Sequence, residues 1–215
     1  MTDVVVDAGG VSLAGSLTVP DGARGVVLFA HGSGSSRHSP RNQWVAVTLN
    51  QTGFATLLMD LLTGEEERVD LVTAELRFDI PLLGERLVAA TDWLAAHERT
   101  AALPFGSFGA STGAAGALIA AAERPEVTRA VVSRGGRPDL AGDALERVQA
   151  PTLLISGELD VPVIAMNRDA RARMSAETKL EIVAGATHLF EEAGALEEVS
   201  RLAAAWFDRY LVSAS

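Results

Sequence analysis

Residues 102–123 read ALPFGSFGASTGAAGALIAAAE, and residues 109–113 within them form the pattern G-x-S-x-G around Ser111. Apolar and small residues precede Ser111, as in a buried strand, and an alanine-rich stretch follows it, as in a helix. Small residues at 109 and 113 allow a sharp turn, and the first N–H groups of the helix would face the site. This context predicts a serine nucleophile on a strand-to-helix turn. The alternative is a glycine-rich turn in which Ser111 is an ordinary helix N-cap.

The rest of the chain alternates in the same way. A hairpin is predicted over residues 4–20, and buried strands over residues 25–32, 55–62, 103–109, 129–136, 151–160 and 178–188. Helices are predicted over residues 40–52, 111–123, 161–174 and 191–211, the first with Trp44, Val47 and Leu49 near one face. A further long helix ending near residue 98 is expected after an acidic loop at residues 65–67. The alternation predicts an α/β fold with a mostly parallel sheet covered by helices on both faces.

Composition narrows the functional classes. The 215 residues are 48% hydrophobic and suit a single domain over residues 1–215. The net charge of −10 argues against a nucleic-acid partner, which would need a basic face. The absence of cysteine excludes thiolate catalysis and cysteine-bound zinc. No signal-like N-terminus or membrane-length apolar run is seen, so we expect a cytoplasmic protein without a membrane partner, either a monomer or a homodimer.

Polar residues follow several of the predicted strands. His31 and Gly32 follow one strand, and Ser111, Asp160 and His188 follow three others. In mostly parallel sheets the ligand site lies beyond the carboxyl ends of the strands. These residues are therefore expected to meet at one edge of the sheet.

A serine nucleophile needs a base, and four histidines compete for this role. His188 lies in a loop before the last helix and after Ser111 in the chain, which fits the serine–acid–histidine order of one hydrolase architecture. His31 opens the HGSG turn and is expected to be structural. His38, in the loop SSRHSP, is a candidate for substrate contact or for simple solvation, and His97 is expected to be exposed on a helix. We predict His188 as the base.

The base needs an acid to orient it and to stabilise its charge. Asp160 ends the strand that precedes the His188 strand, which places it between Ser111 and His188 in the chain. It is also well placed to cap the helix that follows. Asp139 and Glu158 are the rival acids, and Asp160 is the prediction.

The oxyanion of an acyl-transfer reaction is stabilised by backbone N–H groups. The expected donors are the residue after the nucleophile, Thr112, and a residue of the loop after the third strand, Ser33, with Gly34 next in line. Gly32 and Gly34 would let the backbone approach a bound substrate closely.

The motifs HGSGSSRHSPRN (residues 31–42), GASTG, GELD (157–160) and GATH (185–188) occur in this order. Together they resemble the dienelactone-hydrolase-like branch of the α/β-hydrolase superfamily, over residues 11–211. The resemblance implies a fold of about eight strands and a Ser111–Asp160–His188 triad. It also implies hydrolysis of carboxylic esters or lactones without a cofactor or metal.

The sequence departs from that family at the nucleophile, because the dienelactone hydrolases that give the family its name carry cysteine there. We therefore predict a serine carboxylesterase. A thioesterase, lactonase, amide hydrolase or non-catalytic scaffold are the alternatives. The family also binds anionic substrates through arginines, so Arg134 and Arg137 are candidate substrate contacts. Residues 137–150 are too few for a cap, which predicts an open pocket for short acyl esters, edged by residues 65–77.

Overall fold

The computed structural model describes residues 1–212, and its centre is a single eight-stranded sheet. Residues 213–215 of the predicted domain lie outside the described residues. The strands, in chain order, are β1 (Thr2–Asp7), β2 (Ser12–Thr18), β3 (Val26–Ala30), β4 (Ala55–Met59), β5 (Phe105–Ala110), β6 (Thr128–Arg134), β7 (Thr152–Gly157) and β8 (Thr178–Val183).

The strand order across the sheet is β1-β2-β4-β3-β5-β6-β7-β8. The β1–β2 hairpin turns at Gly9 and Gly10, both at positive φ, and β2 pairs antiparallel with β4. All other neighbours pair in parallel. The prediction of a mostly parallel sheet of about eight strands is therefore confirmed.

Helices cover both faces of the sheet. They are α1 (Pro40–Gln51), α2 (Gly64–Thr73), α3 (Ile80–Ala96), α4 (Thr112–Glu123), α5 (Ala144–Arg147), α6 (Val161–Arg173) and α7 (Ala195–Phe207). The helices α1 and α7 pack together on one face, whereas α3, α4 and α5 lie on the other with α6 beside α5.

Strand β3 shows why the central strands are continuous apolar runs. Val26 and Leu28 belong to the core on the α3–α4 side, and Val27 and Phe29 belong to the core on the α1–α7 side. Successive side chains of a strand point to opposite faces, so a strand covered on both sides buries every residue. The Phe29 ring stacks on Phe108 of β5, with ring centroids 4.9 Å apart.

The predicted acidic loop is wrong, because residues 64–73 form α2. Thr63 and Glu66 form a capping box in which each side chain accepts the other's backbone N–H, and this satisfies free donors of the first turn. The predicted long helix is broken: the chain turns at Ala74, with φ 56°, and α3 begins only after Asp79. The Asp79 carboxylate caps α3 by accepting the Leu82 N–H.

Two other expectations need correction. Trp44 and Val47 are exposed on α1. Leu49 shares the buried face of this helix with Val45 and Ala46 instead. The last helix is shorter than predicted, because residues 191–194 form a loop and α7 is followed by a turn of π-helix at Asp208–Val212.

Residues 137–150 add no cap over the site. They form a 3₁₀ turn (Pro138–Ala141) and the single-turn helix α5, both packed against α4. Within residues 1–212, no helix combines the length and the hydropathy needed to cross a bilayer.

Candidate active site

The turn between β5 and α4 is sharp and strained at Ser111. Its backbone has φ 50° and ψ −122°, a region that side chains other than glycine rarely adopt. Ser111 occupies the N-cap position of α4 but makes no side-chain capping bond, so the ordinary N-cap alternative does not describe it. A Cβ at Gly113 would lie 2.5 Å from the Ala30 carbonyl oxygen, and a Cβ at Gly109 would lie 2.8 Å from the Ala114 nitrogen. Both glycines are therefore needed for the turn.

The neighbouring strand β6 fixes this turn in place. The Ser111 N–H donates to the Arg134 carbonyl at 3.2 Å, and the Arg137 N–H donates to the Ser111 carbonyl at 3.1 Å. The backbone of Ser111 is thus held on both sides. Among residues 1–212, the Ser111 hydroxyl has no hydrogen-bond partner. It is therefore available for chemistry.

His188 and Asp160 form a direct pair. His188 Nδ1 lies 2.6 Å from Asp160 Oδ2, and the Asp160 side chain makes no capping bond to α6. A carboxylate only accepts hydrogen bonds, so the histidine proton lies on Nδ1. The other ring nitrogen, Nε2, is then free to accept a proton.

The two rival acids have other partners. Both carboxylate oxygens of Asp139 accept from the Arg137 guanidinium, at 2.9 and 2.7 Å. Glu158 accepts the Gly185 N–H at 2.8 Å. Glu158 therefore helps to hold the loop that carries His188, and Asp139 belongs to a local ion pair.

The loop that carries His188 is anchored at both ends. The Thr187 hydroxyl donates to Glu192 at 2.6 Å, and the Leu159 N–H donates to the Ala186 carbonyl at 2.9 Å. Phe190 is buried and has φ 56°, so the chain turns sharply two residues after His188. These contacts place His188 beside the carboxyl end of β7.

Ser111 and His188 line one cavity of about 250 Å³, which we call the serine cavity. Its other walls come from the loop after β3, the start of α1 and the end of β6. They include Gly32, Ser33, Ser39, Arg41, Asn42 and Arg134. The sheet order brings these segments together, because β3, β5 and β6 are adjacent.

Arg134 is a buried cation without a carboxylate partner among the described residues. Arg134 is 6% exposed, and within residues 1–212 its side chain makes one hydrogen bond, to Asn42 at 3.4 Å, while its Nε has no partner there. Its guanidinium lies 5.8 Å from the centre of the Phe190 ring. Burial, and then the nearby charge of Arg41, lower the pKa of Arg134 to about 10, so the group is charged at neutral pH.

Arg41 stands near Arg134 at the rim of the same cavity. Its Nη1 donates to Glu191 at 2.9 Å, and its buried Nε has no hydrogen-bond partner in the described part of the chain. The predicted substrate residue Arg134 thus lies in the serine cavity, whereas the side chain of its rival Arg137 is paired with Asp139. Sequence reasoning missed Arg41 and Asn42, although both stand in the quoted motif directly after Pro40.

The predicted oxyanion residues meet, but in an unexpected way. The Ser33 N–H donates to the Thr112 hydroxyl oxygen at 2.9 Å, so this expected donor already has an acceptor. Gly32 packs directly on Ser111, since a Cβ at residue 32 would lie 3.0 Å from Ser111 Cβ. Gly34 has φ 67°, which glycine adopts at little cost.

The remaining histidines have other environments. His31 is buried: its Nε2 accepts the Leu61 N–H at 3.1 Å and its Nδ1 donates to the Gly32 carbonyl at 2.9 Å. Burial lowers its pKa, which favours this neutral form and confirms a structural role. His97 packs against the Trp93 ring and is half-buried, not exposed as expected. His38 is exposed, and it lines neither the serine cavity nor the smaller cavity beside the Gly32–Ser35 turn.

A second, smaller cavity of about 70 Å³ lies on the other side of the Gly32–Ser35 turn. Four leucines line it, at positions 61, 62, 71 and 83, and we call it the leucine cavity. Helix α2 and Arg77 form its edge. Residues 65–77 were expected to edge the pocket at Ser111, but none of them lines the serine cavity, and the segment is mostly helical. Arg77 is fixed by Asp70, whose carboxylate accepts its Nε at 2.6 Å.

Comparison with known proteins shows the family of this chain. The sequence model of the dienelactone hydrolase family matches residues 13–210. This chain belongs to the dienelactone hydrolase family. A crystal structure of a dienelactone hydrolase from Anabaena variabilis is 60% identical, with a TM-score of 0.96 over 98% of this chain and 97% of that one.

A less similar solved structure shares the fold. Est1E from Butyrivibrio proteoclasticus is 16% identical, with a TM-score of 0.77 over 96% of this chain and 98% of its own. Membership of the dienelactone hydrolase family supports an enzyme that hydrolyses its substrate.

Two Mycobacterium tuberculosis proteins, from strains CDC 1551 and H37Rv, are each 57% identical over 209 residues. Both bear the name "Putative phosphoribosyl transferase". The match covers 97% of this chain but 46% of each relative. The chain thus spans about half the length of these two relatives.

Proposed function

We propose that this protein is a serine hydrolase that cleaves carboxylic esters through Ser111, His188 and Asp160. One observation carries the proposal: Ser111 has a strained backbone and a hydroxyl with no hydrogen-bond partner among residues 1–212, and it lines the same cavity as His188, which is paired with Asp160. A serine N-cap or a surface histidine would require none of these three features.

The first half of the reaction forms an acyl-enzyme. The Ser111 oxygen bonds to the ester carbonyl carbon as its proton passes to His188 Nε2, and the carbonyl π electrons move to the oxygen. Asp160 stabilises the imidazolium that results. When the tetrahedral intermediate collapses, the C–O bond to the alcohol breaks, and the leaving oxygen takes the proton from His188.

The second half uses water as the nucleophile. His188 takes a proton from the water as its oxygen bonds to the acyl carbon, and the bond to Ser111 then breaks. The serine oxygen recovers its proton from His188, and a carboxylic acid leaves. No redox partner or cofactor is required by these steps.

The serine cavity indicates the class of ester. A buried guanidinium is costly unless it is paired, and Arg134 has no carboxylate partner among the described residues. A substrate with a carboxylate or phosphate group would supply that partner. We therefore propose an acidic ester whose charged half binds Arg134, with Arg41 at the rim. The leucine cavity is of a size for a short acyl or alkyl group.

A lactone is the second candidate substrate. It is favoured by the 60% identity to the protein named dienelactone hydrolase. The same steps would open the ring, with the leaving alcohol tethered to the acyl group. We do not propose phosphoribosyl transfer, because the match covers 46% of the relatives that bear that name.

The test is a panel of 4-nitrophenyl esters, thioesters and lactones with the wild-type chain and Ser111→Ala. Ester turnover that disappears in Ser111→Ala supports the proposal. Equal turnover by both proteins would show that Ser111 is not the nucleophile. Binding of acidic esters without turnover by either would point to a scaffold that only binds.

A further inference from the structure

The loop after β6 contacts both Ser111 and His188. Gly135 has φ 52°, and a Cβ at that position would lie 3.1 Å from the His188 carbonyl oxygen and 3.5 Å from Cε1 of the His188 ring. Two residues later, the Arg137 N–H donates to the Ser111 carbonyl at 3.1 Å. Residues 135–137, which we call the β6 loop, therefore lie against the proposed base and hold the backbone of the proposed nucleophile.

The middle residue of the β6 loop is held by a buried side chain of α6. Asn167 is fully buried, and its Nδ2 donates to the Gly136 carbonyl at 3.0 Å and to the Val163 carbonyl at 2.8 Å. An amide nitrogen has two protons, and both are used here. The bond to Val163 lies within α6, whereas the bond to Gly136 joins α6 to the β6 loop across 31 residues of chain.

Gly136 also packs on the helix that begins after Ser111. A Cβ at Gly136 would lie 2.7 Å from the Ala114 Cβ, in the first turn of α4. The helix that carries Asn167, in turn, begins directly after Asp160. Asn167 therefore connects the helix that begins after the proposed acid to the loop that contacts the proposed nucleophile and base.

The distance between nucleophile and base is what this connection controls. Proton transfer from Ser111 to His188 requires the two side chains to lie within hydrogen-bond reach, about 2.6–3.2 Å. A buried carbonyl without a partner is unfavourable, so the β6 loop would shift if Asn167 no longer donated to it. A shift would move Ser111 relative to His188, because the loop contacts each of them through a different residue.

We propose that Asn167 is a positioning residue that aligns Ser111 with His188 by holding the Gly136 carbonyl. This inference rests on the proposed serine mechanism. Neither Asn167 nor the β6 loop is among the residues that line the serine cavity, so the substrate does not touch them. Loss of the contact is therefore expected to slow the chemical step and to leave substrate binding almost unchanged.

The experiment compares two variants that lose the bond to Gly136 in different ways. Asn167→Leu has a similar size and removes both donated bonds. Asn167→Ser is too short to reach Gly136, but a serine hydroxyl within a helix can still donate to the carbonyl four residues earlier, here that of Val163. Hydrolysis of 4-nitrophenyl acetate gives kcat and KM, and circular dichroism checks folding. We expect kcat to fall on the order of 10–100-fold in each variant, with KM within about threefold of the wild type.

Asn50→Leu is the matched control. Asn50 Nδ2 also donates two bonds, to the Phe54 carbonyl and to the Thr56 hydroxyl, each at 3.0 Å. These bonds lie at the start of β4, at the edge of the sheet opposite Ser111. Asn50→Leu is therefore expected to lower the melting temperature, as Asn167→Leu does, and to keep kcat close to that of the wild type.

Three outcomes overturn the inference. Wild-type kcat in both Asn167 variants means that the bond to Gly136 does not set the reactive geometry. Wild-type kcat in Asn167→Ser beside a large loss in Asn167→Leu assigns the effect to the bond within α6. An equal loss of kcat in Asn50→Leu assigns it to general stability. Should Asn167→Leu fail to fold, the kcat of Asn167→Ser against that of Asn50→Leu decides. Activity that survives Ser111→Ala would instead refute the proposed function.

Discussion

His188 Nδ1 donates to Asp160 Oδ2 at 2.6 Å, although 28 residues separate the two in the chain. Strands β7 and β8 are parallel neighbours, so the residues that follow them meet at the same edge of the sheet. The contact chooses among the three candidate acids, because Asp139 pairs with Arg137 and Glu158 with a backbone N–H. It also leaves His188 Nε2 free to accept a proton.

Replacing Asp160 should remove most of the ester-hydrolysing activity. In Asp160→Asn the amide cannot stabilise the imidazolium, and we expect kcat to fall on the order of 10⁴-fold, as in a serine protease. Asp139→Asn is the matched control and should stay within a few fold. Hydrolysis of 4-nitrophenyl acetate measures both, with circular dichroism to check folding. A larger loss in Asp139→Asn would show that the acid is assigned incorrectly.

Replacing Arg134, the buried cation of the serine cavity, should reduce the preference for acidic over uncharged esters. Arg134→Met is expected to lower kcat/KM for the mono-4-nitrophenyl ester of glutaric acid about 10–100-fold, because a hydrogen bond to a charged group contributes about 1.5–3 kcal/mol. 4-Nitrophenyl butyrate, which carries no charge, should be almost unaffected. Arg137→Met is the control. Equal losses on both esters would mean that Arg134 only supports the fold.

The same preference should depend on pH. Burial and the Arg41 charge lower the pKa of Arg134 to about 10, so the guanidinium is charged at neutral pH and loses its proton as the pH rises through that value. We expect the wild-type preference for the acidic ester to persist at pH 7–9 and to decline above about pH 10. The ratio of the two kcat/KM values measures it, after subtraction of spontaneous hydrolysis. In Arg134→Met, which has no guanidinium to titrate, we expect the ratio of the two kcat/KM values to be independent of pH.

Buried His31 should make stability depend on pH. Burial lowers its pKa below the usual value near 6.5, so the unfolded chain binds a proton at a higher pH than the folded chain does. The free energy of unfolding should therefore fall as the pH drops below about 6.5. His31→Gln can still accept the Leu61 N–H and should show a smaller fall. Urea unfolding at pH 5–8 measures both, and identical slopes would contradict the prediction.

The sharp turn at Ser111 should tolerate no side chain at residue 113. A Cβ there would lie 2.5 Å from the Ala30 carbonyl oxygen, against rigid backbone. Gly113→Ala should lower the free energy of unfolding by about 1–3 kcal/mol, the usual cost of overpacking. Gly64→Ala is the control, because nothing lies within 4 Å of a Cβ there. Equal stability of the two variants would show that the turn can relax.

Local patterns in the sequence were enough to predict much of this molecule. Apolar runs such as residues 25–32 predicted strands buried on both faces, and the small residues around Ser111 predicted its turn. The positions of Ser111, Asp160 and His188 after strands predicted that they would lie at one edge of the sheet. These inferences hold because periodicity, glycine placement and chain order act through neighbouring residues.

One local signal did not lead to a correct prediction: the capping box at Thr63 and Glu66 starts a helix where three consecutive glutamates suggested a loop. The other unpredicted features depended on segments that are distant in the chain. Nothing local could show that Arg134 is buried without a carboxylate partner near Arg41, or that Ser33 donates to Thr112.

The sequence by itself determined the alternation of strands and helices and the chain order of Ser111, Asp160 and His188, the three residues of the proposed mechanism. Only the tertiary structure decided which charges and donors surround Ser111. The order of β3, β5 and β6 in the sheet brings residues 31–42, 111–112 and 134 together. Burial at that junction lowers the pKa of Arg134, and the close approach of the two turns sets the hydrogen bond of Thr112. Both depend on neighbours that chain order does not specify.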